Sequence, residues 1–144
     1  MSFTAVESTQ PRQLNQSGGN LSITAPVSPN WSFDLPSGSY VVKGRAQLGI
    51  NQNGGVMFSK LILLNTTDTI SLVGDTIKKT GAFGGNQQTF YCHLDGTFTI
   101  TATKTFVLNQ VYKSGNSITA NGGYTSTLTN TEDIYATLVI TKIA

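Results

Sequence analysis

Along most of the chain after residue 30, apolar and polar residues alternate one for one, and nowhere do apolar residues recur at the intervals of a helix face. The stretch GTFTITATKTFVLNQVY, Gly96 to Tyr112, carries the pattern most clearly. Phe98, Ile100 and Ala102 alternate with Thr99, Thr101 and Thr103. After the polar Thr103-Lys104-Thr105, Phe106, Leu108 and Gln110 alternate with Val107, Asn109 and Val111. A period of two places one face in a core and the other on water. The stretch therefore predicts two long strands joined by a tight connection, a hairpin with Phe98, Ile100, Phe106 and Leu108 turned inward.

The rest of the chain reads the same way. Leu21 and Ile23 alternate with Ser22 and Thr24 in a short strand stopped by Pro26 and Pro29, and Trp31, Phe33 and Leu35 mark a second. Pro36-Ser37-Gly38-Ser39 is a turn sequence with proline at its second position. From it emerges a strand with Tyr40, Val42, Gly44, Ala46, Leu48 and Ile50 on one face and Lys43, Arg45 and Gln47 on the other. Asn51 to Gly55 is expected to close a hairpin, because Asn-Gly accepts the positive φ of a primed turn. Val56 to Leu64, with Lys60 the single charge in an apolar run, is expected to be covered on both faces. Asn65 to Thr69 is a turn, Ile70 to Ile77 a strand with a bulge at Gly74-Asp75, and Thr80 to Gln88 the longest glycine-rich loop. Thr89 to Leu94 leads into the opening stretch through an Asp95-Gly96 turn. Lys113 to Asp133 is a long polar region with Ile118, Tyr124 and Leu128 isolated in it. Ile134 to Ile143 ends the pattern, with Ile134, Ala136, Leu138 and Ile140 on one face. About eight to ten strands, with turns every 8 to 12 residues or so, predict an all-β antiparallel sandwich or barrel.

Residues 1 to about 20 differ. They form a polar arm with Pro11 and a Ser17-Gly18-Gly19-Asn20 cluster, and only Phe3, Val6 and Leu14 offer anything to bury. Such an arm cannot hold itself in place and is expected to pack on another chain, leaving 21–144 as the folded domain.

Composition narrows the function classes. A chain of 144 residues is one ordinary domain. Only 11% of its residues are charged, against roughly a quarter in average globular chains, so hydroxyls and amides cover its surface. The net charge of +2 comes from nine basic and seven acidic residues scattered along the chain, with Lys78-Lys79 the one adjacent basic pair. That is no footprint for nucleic acid. Cys92 is the single cysteine, which excludes an intrachain disulfide and a cysteine-rich zinc site, and it is expected to be a small buried hydrophobe. The N-terminus has no basic region followed by an apolar run, and no stretch approaches the roughly 20 apolar residues of a membrane span. A soluble product of the cytoplasm, without membrane insertion, is expected. The Asn-x-Ser/Thr triplets at Asn15, Asn20, Asn30 and Asn65 are accidents of an Asn- and Thr-rich chain on this reading.

Residues that carry chemistry are few. His93 is the only histidine, and no nucleophile or metal pattern can be assembled around it by spacing. Asp34, Asp68, Asp75, Asp95 and Asp133 sit at expected strand ends or turns, where Asx turns account for them. Glu132-Asp133 is too isolated for a glycosidase pair. Gly81, Gly84 and Gly85 open no helix and so make no phosphate loop. Phe83 and Tyr124, each set among glycines in a polar loop, are candidate ligand contacts, because exposed aromatics flanked by small polar residues suit adaptable binding loops. No cofactor, metal or catalytic residue is expected.

Three segments in this order, PSGSYVVKGRAQL at 36–48, FTITATKTFVLNQVY at 98–112 and IYATLVITKIA at the C-terminal end, resemble a known pattern. They are similar to the jelly-roll head domains that end many phage tail-fibre proteins, relatives of the trimeric complement and tumour-necrosis-factor-like fold. The resemblance covers roughly residues 30–144. It implies a jelly roll assembling as a three-fold homotrimer with Tyr40 and Tyr135 near the axis. A tail-fibre head continues from a long shaft, whereas here the fold begins soon after Met1. The expectation is therefore a non-enzymatic virion protein, made in the host cytoplasm, that decorates the outside of a capsid. Its arm, through Phe3, Val6, Arg12 and Leu14, would hold the major capsid protein or a neighbouring subunit. The alternative is a tail-fibre or tail-tip adhesin whose loops around Phe83 and Tyr124 recognise a host glycan or protein receptor. A carbohydrate-active enzyme ranks below both.

Overall fold

The structure is a computed structural model that describes residues 2–4, 8–11, 31–51, 56–80, 88–114, 119–121 and 136–144. These form eleven strands: β1 (Ser2–Thr4), β2 (Ser8–Pro11), β3 (Phe33–Leu35), β4 (Gly38–Asn51), β5 (Val56–Asn65), β6 (Ile70–Val73), β7 (Ile77–Thr80), β8 (Gln88–Ile100), β9 (Lys104–Ser114), β10 (Thr119–Asn121) and β11 (Ala136–Lys142). Two antiparallel sheets pack as a sandwich, one of the two arrangements that the period-2 pattern allows. Among the described residues no helix is long and apolar enough to cross a membrane.

In the first sheet β4 is the central strand. β8 pairs with it along thirteen residues on one side, while β11 and then β10 line its other side, with β1 outside β10. In the second sheet β9 and β5 are central; β2 and β3 flank β9, and β6 and β7 flank β5. Between them lie Phe33, Leu35, Tyr40, Val42, Leu61, Leu63, Leu94, Phe106 and Leu108, with Leu138 and Ile140 packed against them. Burying side chains of this size stabilises by about 1.5–3 kcal/mol each. The alternation thus predicts the inward faces of β4, β9 and β11 correctly, including Phe106 and Leu108.

The two expected hairpins are not hairpins. β8 and β9 lie in different sheets, and residues 101–103 carry the chain across the sandwich. Phe98 and Phe106 meet across the interior at 5.1 Å between ring centroids; Tyr40 stacks on Phe98 at 5.4 Å and Phe33 on Phe106 at 6.2 Å. β4 and β5 also belong to opposite sheets. Turn residues announce a reversal but not the sheet in which the chain resumes, so alternation on both sides of a turn fits either arrangement. Nor is Asp95-Gly96 a turn: β8 runs through it. Gly96 serves packing, because a Cβ there would meet Leu72 Cδ1 of the opposite sheet at 2.6 Å.

Other expectations divide. The turn after Asn65 is present, with Asn65 Oδ1 accepting from the amides of Thr67 and Asp68. The bulge is present too, since Gly74, Asp75 and Thr76 oppose only Lys60 and Leu61 between the β6 and β7 pairings. β5 is not covered on both faces: Lys60, Ile62 and Leu64 are half-buried on the outer side, while Leu61 and Leu63 are buried. Trp31 stands outside the strand with φ 51°. The polar region after Lys113 contributes β10. The arm supplies β1 and β2 to the two sheets of its own chain, pairing with β10 and β9, instead of resting wholly on another chain. The expected strand at Leu21–Thr24 lies outside the described residues.

Lys104, which starts β9, donates to Asp68 Oδ1 at 2.7 Å and ties the β5–β6 turn to that strand; Asn65 Nδ2 donates to Asp68 Oδ2 at 2.9 Å. The Lys104 hydrogen bond, helped by that from Asn65 and by the lysine's charge, holds the Asp68 carboxyl below its ordinary value against a smaller desolvation effect. A lowered folded-state value means that this interaction stabilises above the unfolded carboxylate range, about pH 4, and is lost as pH falls through the folded value. In a carbon-detected NMR titration Asp68 should titrate below about 3.9, and Lys104→Met should move it up towards that value. Phe106, 3% exposed, should cost about 3–5 kcal/mol on replacement by alanine in chemical denaturation; a cost under about 1 kcal/mol contradicts its place in the core. Gly74→Ala should also destabilise, by about 1–3 kcal/mol, because the new Cβ would collide with the His93 carbonyl oxygen and stand 3.1 Å from Leu94 Cα.

Candidate functional site

The outward residues of the first sheet follow from the same alternation. With Tyr40, Val42, Gly44 and Ala46 turned inward, β4 presents Val41, Lys43, Arg45 and Gln47 outward. Register does the rest. Arg45 stands between His93 of β8 and Thr137 of β11, and Lys43 between Asp95 and Val139. Cross-strand neighbours lie about 4.8 Å apart and successive outward residues about 7 Å apart. Six side chains remote in sequence therefore form a grid of two rows on three strands.

The grid encloses a shallow depression of about 240 Å³ lined by Lys43, Gly44, Arg45, His93, Asp95, Thr137 and Val139. Gly44 forms part of its floor. A Cβ there would stand 3.2 Å from Leu94 Cβ, so the glycine leaves room for the Leu94 and Leu138 side chains on the strands to either side. Arg45 is held from one side, its Cζ 5.1 Å from the ring centroid of Tyr91, the next outward residue on β8. Lys43 and Asp95 face each other in register, yet the one ion pair among the described residues is Lys104 with Asp68. Charges of both signs, a hydroxyl and the apolar Val139, 53% exposed, thus face solvent in one small hollow. Among the described residues no group of three or more His, Cys, Asp or Glu is placed to hold a metal ion.

The residues singled out from the sequence lie elsewhere. Tyr40, expected near a trimer axis, has no exposed surface: its hydroxyl donates to the Pro36 carbonyl at 2.6 Å, and its ring is in the core. The inward parity of β4 and the Phe98 ring opposite put it there. Phe3 lies in β1, and nothing of its side chain is described; Val6, Arg12, Leu14, Phe83, Tyr124 and Tyr135 lie outside the described residues. Cys92 is buried, as expected of a small hydrophobe, but it also donates to Ser59 Oγ at 3.2 Å and lies 3.5 Å from Gln110 Nε2. Asp34 lies within β3 and accepts from Thr105 Oγ1 at 2.6 Å. His93 and Asp95, neighbours on the outward face of β8, are the pair the fold brings together with Lys43 and Arg45. Their common outward parity was legible; the register that aligns them was not.

No family model and no curated protein matches the chain.

Because Lys43, Arg45 and His93 are exposed, as is the Tyr91 ring that Arg45 covers, their replacement by alanine should change stability by less than about 0.5 kcal/mol each. Urea denaturation checks this, and a loss above about 1 kcal/mol would assign them to the scaffold instead.

Proposed function

We propose that the chain is a jelly-roll virion protein that assembles as a three-fold homotrimer and decorates the outside of a phage capsid without enzymatic activity. The observation that carries the reading is the path of the chain. It changes sheet between β1 and β2, β3 and β4, β4 and β5, β7 and β8, β8 and β9, and β9 and β10, so that the long strands adjacent in sequence, β4 and β5 and then β8 and β9, lie in opposite sheets. Crossing of this kind is how a double-sheet jelly roll is wound, and it agrees with the resemblance carried by residues 36–48 and 98–112.

The arm's place at the sheet edges supports a role in attachment. β1 and β2 are outer strands of short, uncharged sequence, SFT and STQP, and among the described residues nothing pairs with their outer sides. The far edge of the second sheet is blunted by adjacent lysines on β7: Lys78 Nζ lies 5.7 Å from the Phe58 ring centroid and Lys79 Nζ 4.7 Å from that of Phe90. Charged side chains at an edge resist strand addition; β1 and β2 lack them, and Pro11 closes only the end of β2. The arm edges β1, which holds Phe3, and β2 are where the major capsid protein would add.

A second reading, a tail-tip adhesin, is favoured by the exposed hollow of the first sheet, since a ligand can reach it from solvent. Immunogold labelling of purified particles separates the two. Dense label over the head is expected; label confined to the tail replaces decoration with adhesion. The purified chain should sediment as a trimer, and a variant lacking residues 2–16 should remain trimeric while failing to bind particles. A monomer in solution overturns the assembly, and a truncated chain that still saturates capsids overturns the role of the arm.

A further inference from the structure

The hollow on the first sheet has a chemistry that selects among ligands, and we infer that it binds a pyranose bearing a carboxylate, such as a uronic acid unit of a surface polysaccharide. The inference concerns the ligand class of this face and holds whether the protein sits on a head or a tail. At about 240 Å³ the hollow is smaller than the roughly 300–1,000 Å³ of drug-sized sites, so its occupant is a single ring or one unit of a chain passing over it.

Charge fixes the first group. Lys43 and Arg45 contribute two permanent cations against the single carboxylate of Asp95, so the face attracts an anion. A planar carboxylate suits the guanidinium fork of Arg45, which accepts it with two parallel hydrogen bonds. The Tyr91 ring under Arg45 reduces the side-chain freedom that binding has to remove. A phosphate dianion fits less well, because Asp95 shares the hollow and repels the second charge.

The remaining wall demands more than an anion. Asp95 is an acceptor and wants hydroxyl donors; the Thr137 hydroxyl donates or accepts; Val139 offers an apolar patch on the third strand. Carboxylate, hydroxyls and a C–H face within one ring-sized body describe a sugar acid. A nucleobase lacks a free platform, since Arg45 already lies over Tyr91. An acidic protein surface would need an interface of about 800 Å² per partner, far larger than a grid two rows long on three strands.

The test is an NMR titration of the native chain with methyl β-glucuronide, using methyl β-glucoside and acetate as comparison ligands. The glucuronide should shift the signals of His93, Asp95 and Thr137 saturably in the millimolar range expected of a shallow site. The glucoside should bind at least about tenfold more weakly, and acetate should shift these residues without saturating. Arg45→Ala and Lys43→Ala, both exposed, should each raise the dissociation constant about tenfold or more, while Lys78→Ala on the opposite sheet leaves it unchanged. Equal binding of glucoside, saturation by acetate alone, an undiminished affinity in Arg45→Ala, or no shift with glucuronide each overturns the assignment. Hyaluronan supplies the polymer arm. Tighter binding of poly-glutamate than of hyaluronan at matched charge would transfer the face to an acidic polypeptide and overturn the sugar.

Discussion

Four aromatic rings in series, Phe33, Phe106, Phe98 and Tyr40, join the two sheets through the middle of the molecule. Offset and tilted ring pairs at these separations add about 0.5–1.5 kcal/mol each to the burial of their surface. Their geometric consequence is larger than their energy. Phe98 and Phe106 are eight positions apart on consecutive strands, and because the chain between them leaves one sheet and enters the other, their tilted rings meet across the core instead of side by side on one sheet. β8 thereby pairs along thirteen residues with β4 in one sheet, and β9 pairs with β5 in the other.

Glycines complete the fit within the first sheet and against the edge of the second. Opposite Val42 stands Gly96, and opposite Leu94 stands Gly44, so large and absent side chains complement each other within the first sheet. The gap at Gly96 receives Leu72 from the edge of the second sheet. Gly74, in the bulge, brings that edge against the β8 backbone at His93 and Leu94. The bulge that re-aims the edge strand is therefore also the point where the second sheet braces the strand that carries His93 and Asp95 to the surface.

Much of this was legible in the residues. The inward face of β4, the central place of Phe106 and Leu108, the turn at Asn65 and the bulge at Gly74 follow from period and turn chemistry. Which strands share a sheet did not, because alternation describes one strand at a time and says nothing of its neighbours. Asn51 to Gly55 and Thr101 to Thr103 have hairpin sequences but end strands that part company. The surface hollow was hidden for the same reason. Lys43 and Arg45 were plainly outward, and His93 and Asp95 share a parity, but some fifty residues separate them, and only the pairing of Arg45 with His93 and of Lys43 with Asp95 makes a site. Tyr40 follows its own parity, which places it in the core with Val42 and Ala46.

Cys92 gives the sandwich an internal clock. Its thiol has no exposed surface and sits between the sheets, bonded from β8 to Ser59 on β5 and within reach of Gln110 on β9. A reagent in solvent can meet that sulfur only in molecules whose sheets have parted. With one cysteine in the chain, thiol modification reports the opening of the layers without any probe having to be introduced: its frequency where reaction outpaces reclosing, and the population of open molecules where reclosing is faster.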